Sequence, residues 1–171
     1  VGSGDVYKRQ GLNLAIAKKL EEVLKSKGYR VIMTRETDKG LYEEGARNKK
    51  RQDMGRRIAL IEKEKPALTV SIHQNSYRDA SVKGPQVFYY AESVEGARLA
   101  KLLQEKMNTG LSIQRPRQAK ENKSYYLLKK SPGIVNIVEC GFLTNPGEAE
   151  LLQQEEYPVS YTHLRAHETG R

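Results

Sequence analysis

Apolar residues recur every four positions near the start of the chain, where Leu12, Ile16, Leu20 and Leu24 stand between Lys and Glu. That spacing places them on one face of an amphipathic helix, and Gly28 supplies its stop. The run YRVIMTR that follows alternates Tyr29, Val31 and Met33 against Arg30 and Ile32, which predicts a strand. A polar loop through Asp38 and Gly40 leads to a second helix, from about Asp53 to Lys63, with Met54, Ile58 and Ile61 on one side. Pro66 ends it, and the apolar run Ala67 to Ile72 reads as a buried strand.

The second half repeats this alternation. Val87 to Ala91 predicts a strand, Val94 to Met107 a helix through Ala97, Ala100, Leu103 and Met107, Tyr125 to Leu128 a short strand, and Ile134 to Val138 a β-branched one. Asn145, Pro146 and Glu148 form a helix-start signal for a last helix carrying Leu151 and Leu152. Helices alternating with short apolar strands imply an α/β fold, a mostly parallel twisted sheet with helices on both faces.

Length allows one such unit, since 171 residues exceed only slightly the roughly 100 to 150 of a common single domain. The two ends stand apart from it. Residues 1–10 carry no periodicity, and residues 158–171, PVSYTHLRAHETGR, mix turn-formers and charges without an apolar face; both read as non-native sequence around a domain at 11–157. No stretch reaches the 18 or so apolar residues of a transmembrane segment.

Charge broadens the choice of partners. A net charge of +9 would suit nucleic acid or a carboxylate-rich polymer. The chain has no Trp, and its ten Tyr are not interleaved with Lys and Arg, which argues for no nucleic acid. The single cysteine, Cys140, excludes an internal disulfide framework and a Cys-rich zinc module.

In open α/β sheets, ligands gather beyond the carboxyl ends of the strands. Two polar residues follow apolar runs there: His73 in SIHQNS and Glu139 in VECGFLTN. An imidazole so placed can ligate zinc or be a hydrogen-bonded structural residue. A carboxylate there is partly desolvated and fit to take a proton from water, or it is one half of an ion pair. His163 and His167, with Glu168 beside them, lack the glutamate that follows the first histidine in metalloprotease motifs, and Leu164 holds that place.

SIHQNS, KSYYLLKK and VNIVECGFLTNPGEAELL resemble the catalytic core of the zinc N-acetylmuramoyl-L-alanine amidases, and NLAIAKKLEEVLKSKGYRVIMTRETD is similar to that family's first helix and second strand. The likeness runs from about Leu12 to Leu152 and is closest to the spore-cortex, germination-specific branch. It implies one Zn2+ held by two histidines and a glutamate, with a second glutamate acting on the metal-bound water. On that resemblance His73 matches the second histidine ligand and Glu139 the catalytic glutamate, while Asn75 lies where substrate could be contacted, as does the segment from Lys83 to Gln86. The family's first histidine lies in a Gly-rich loop after a first strand, and this sequence has neither. Arg9 stands at the position of the glutamate ligand, and an arginine cannot ligate zinc.

The resemblance therefore implies a domain lacking its first strand and two of its zinc ligands, and so open to being inactive as it stands. The implied substrate is peptidoglycan, cut at the amide between N-acetylmuramic acid and L-alanine outside the cytoplasm. A catalytically silent peptidoglycan-binding fragment is the alternative.

Overall fold

The computed structural model describes residues 3–37, 41, 43–75 and 84–142, with side chains omitted at 3–10, 74, 75 and 142. Helix α1 spans Ser3–Ser26, α2 Lys49–Glu64 and α3 Val94–Gly110, and a short α4 spans Tyr126–Lys130. Strands β1 (Thr69–Asn75), β2 (Gln86–Tyr90), β3 (Lys120–Asn122) and β4 (Val135–Phe142) form one sheet in the order β1-β4-β2-β3. β1 runs parallel to β4 and β2 to β3, while β2 and β4 are antiparallel. The sheet is thus mixed, with two parallel pairings of three.

Alternation along each strand divides the core in two. On one face Val87, Val138 and Cys140 pack with Ile16 of α1 and Ala100, Leu103 and Met107 of α3. On the other, Val135 and Ile137 pack with Ile58 and Ile61 of α2 and Leu127 and Leu128 of α4. Helices cover both faces because the central strands β2 and β4 carry apolar residues at odd and even positions alike.

The α1/α3 face also buries polar groups, whose amide donors are bonded while Asn136 Oδ1 meets no partner among the described residues. Gln104, 2% exposed, accepts from the Val87 N–H at 2.8 Å and donates to the Pro85 carbonyl at 3.0 Å. Gln86 donates to the Gln118 carbonyl at 2.7 Å, and Asn108 to that of Arg117 at 2.7 Å. Asn136 donates to the Gly96 carbonyl at 3.0 Å. These bonds fix the entry to β2 and the segment before β3 against α3, where an unmet amide would cost about 1–3 kcal/mol.

The helix starts follow local chemistry. Ser93 caps α3, its Oγ accepting from the Gly96 N–H at 2.9 Å. α2 closes on Lys65, whose left-handed φ of 44° lets its N–H reach the Ile61 carbonyl.

Several expectations are corrected. YRVIMTR forms no strand: among the described residues no strand pairs with it, and alternation without a hydrogen-bonding neighbour does not make a ladder. Tyr125 to Leu128 is not a strand but the start of α4, because Asn122 Oδ1 accepts from the Ser124 and Tyr125 N–H groups and turns the chain into a helix. β3 carries the polar sequence Lys-Glu-Asn, which has no apolar signature. α1 begins at Ser3, through the segment read as aperiodic. The helix expected from Asn145, the tail, His163 and His167 lie outside the described residues.

Candidate active site

β1 and β4 are hydrogen-bonded side by side, and their register pairs His73 directly with Glu139. Both residues lie within their strands rather than after them, as the sequence pattern had implied, because the parallel ladder continues past the apolar runs. The pleat then fixes their direction. Glu139 shares the parity of Val135 and Ile137, and His73 that of Ser71, so both side chains belong to the α2/α4 face. The pair sits toward the carboxyl ends of two parallel strands, where open α/β sheets place ligands. Beyond it the register slips, His73 opposing Glu139 but Asn75 opposing Phe142.

His73 is held from below. Ser71, buried on the same strand, lies with its Oγ 2.7 Å from His73 Nε2, so this ring nitrogen is engaged and its rotation is restricted. Burial, and then the positive charge of Arg57, push the His73 pKa from 6.5 down to about 4. The imidazole is neutral at neutral pH, the form that can accept a proton or donate a lone pair.

Arg57 comes from α2. Its Nε donates to Asp53 Oδ2 at 2.8 Å, one turn earlier, and Asp53 Oδ1 accepts from the Leu41 N–H at 2.7 Å. Glu139 is flanked from α4's side by Tyr125, whose phenol is pushed up by burial and then by the Glu139 charge. Tyr125 also packs edge-on against Phe88, with ring centroids 5.4 Å apart. Sequence reasoning found the two residues at the strand ends. It missed Ser71, Arg57, Asp53 and Tyr125, although Ser71 stands in the same SIHQNS run and Arg57 and Asp53 at helical spacing.

Asn75 is placed by its backbone at the end of β1, two residues past His73. Gln86, in contrast, is 7% exposed and bonded to Gln104 and Gln118, which makes it part of the framework. Cys140 is buried on the opposite face, against α1 and α3. Among the described residues no three His, Cys, Asp or Glu side chains converge as metal donors. One imidazole and one carboxylate do not by themselves fit a zinc centre, which takes at least three protein ligands.

A mixed sheet between helical layers, with His73 beside Glu139 toward the carboxyl ends of the parallel pair β1 and β4, defines an α/β domain. The chain belongs to the N-acetylmuramoyl-L-alanine amidase family, whose model matches residues 2–166. The germination-specific N-acetylmuramoyl-L-alanine amidase of Bacillus subtilis is 34% identical over 149 residues, 85% of this chain and 62% of that protein. The chain thus spans less than two thirds of that relative. The structure of the CwlD amidase from Clostridioides difficile in complex with the GerS lipoprotein superposes with a TM-score of 0.88 at 32% identity, covering 91% of this chain and 81% of that one. The catalytic domain of CwlV from Bacillus (Paenibacillus) polymyxa superposes with a TM-score of 0.78 at 21% identity, over 92% and 80%, a likeness of fold.

Proposed function

We propose that the domain hydrolyses the amide joining N-acetylmuramic acid to L-alanine in peptidoglycan, in the spore cortex or the cell wall, outside the cytoplasm. The observation that carries this reading is the register pairing of His73 with Glu139 in a chain of this family. Glu139 is the group that takes a proton from the attacking water and returns it to the leaving amine. Its neighbour Tyr125, held protonated, leaves the negative charge on the carboxylate. Ser71 and Arg57 keep His73 oriented and neutral, so that the imidazole does not compete for the proton. No helix among the described residues is long and apolar enough to cross a membrane.

Zinc, as the family resemblance implies it, would supply a polarised carbonyl and an acidified water. The donors described here do not complete its site, and no step above runs through it. Arg9 at the glutamate-ligand position would hold zinc affinity and turnover down, and Arg9→Glu is expected to raise the zinc retained after dialysis.

The deciding experiment incubates the chain with purified peptidoglycan, with and without added zinc, and measures new amino termini of L-alanine alongside binding to the sacculus. Release of such termini supports the amidase. Binding without release in either condition would replace it with a silent wall-binding module.

A further inference from the structure

Arg57 has a charged head whose donors are only partly used. Its Nε is committed to Asp53, itself pinned by the Leu41 N–H, while its terminal nitrogens bond to no described residue. The side chains of Arg57 and Asp53 are 24% and 18% exposed, so the pair is sheltered but reachable. At that exposure water meets the remaining donors in the free protein, and an anionic ligand can displace it.

Topology places that open fork at the site. α2 ends at Glu64 and β1 begins at Thr69, so only four residues separate the helix from the strand that carries His73. Ile58 and Ile61 pack α2 onto the sheet face that carries Val135 and Ile137, the same face to which Glu139 belongs. Independently, Arg57 is close enough to depress the His73 pKa.

We infer that Arg57, aimed by Asp53, binds a carboxylate of the stem peptide and so orients the substrate beside His73 and Glu139. This rests on the peptidoglycan reading above. A planar fork fixed through Nε leaves parallel N–H donors that match a carboxylate in two-point contact, which an ammonium cannot reproduce. Asp53 is a positioning residue: through its bond to Nε it fixes the direction in which the fork points.

The test uses the full chain and two probes, N-acetylmuramoyl-L-alanyl-D-glutamate and its fully amidated counterpart, titrated calorimetrically at low ionic strength. The unaltered chain is expected to prefer the carboxylate form by about tenfold, as one charged contact would give. Arg57→Gln should bind both forms equally, and Arg57→Lys should recover only part of the preference. Asp53→Asn should narrow the preference while leaving the melting transition cooperative, which separates aiming from folding. An undiminished preference in a folded Arg57→Gln would overturn the inference, as would equal affinity of the unaltered chain for the two probes. If the unaltered chain binds neither probe nor intact peptidoglycan, the substrate reading itself fails and takes the inference with it.

Discussion

The two faces of β4 treat their polar groups in opposite ways. On the α1/α3 side, Asn136 is fully buried and its amide donates to the Gly96 carbonyl, while Gln104 meets four backbone and side-chain partners nearby. On the α2/α4 side, the strand's next polar residue, Glu139, pairs in register with a histidine kept neutral by burial and a neighbouring cation. One face uses polarity to lock helices in place. The other keeps two ionisable groups close together at a cost in solvation. A single strand thus joins framework to chemistry, and mutations on its two sides should separate stability from turnover.

The largest effect is expected from Glu139→Gln, which preserves shape and removes the proposed proton acceptor. Release of L-alanine amino termini should fall about 10²- to 10⁴-fold, with the urea midpoint little changed; retained turnover would take Glu139 out of the mechanism. On the framework side, Leu103→Ala removes a side chain 5% exposed from the α1/α3 core and should cost about 2–5 kcal/mol in urea unfolding. Peptidoglycan binding by the fraction still folded should be unchanged, and a selective loss of binding would dissolve the division between the faces.

A pH series sharpens the comparison further. Between the ordinary histidine value of 6.5 and about 4, the unfolded chain takes up a proton that the folded His73 refuses. Stability should therefore decline as pH falls through that window and level off above it, by at most about 3 kcal/mol in all. Carboxylates titrate there too, so the measured quantity is the difference from His73→Gln, whose profile should be flatter; parallel profiles would mean that His73 is not held neutral. The smallest effect concerns only the helix end: Ser93→Ala, which removes the cap on Gly96 N–H, should cost about 1 kcal/mol and leave activity alone.

Much of this architecture was legible in the sequence. Ile16, Ile58, Ile61, Ala100, Leu103 and Met107 were placed on helix faces by spacing alone, and all are buried. What failed has identifiable causes. YRVIMTR has a strand's alternation, but a ladder needs a neighbour, and spacing along one segment says nothing about that. SYYLLKK looks extended until the side chain of Asn122 turns it, and β3 pairs through its backbone with little help from its side chains. At the site, His73 and Glu139 were visible because each follows an apolar run. Arg57 and Asp53 were hidden within an ordinary charged helix surface, and only the packing of Ile58 and Ile61 against Val135 and Ile137 shows where that helix meets the sheet.

The position of β4 in the sheet has a kinetic consequence. It is the last described strand to be synthesised, yet it lies between β1 and β2, which do not touch each other. Until it inserts, β1 and the β2–β3 pair present open edges to each other, and Glu139 is absent. A growing chain therefore exposes those edges until β4 emerges to join them and to bring Glu139 beside His73.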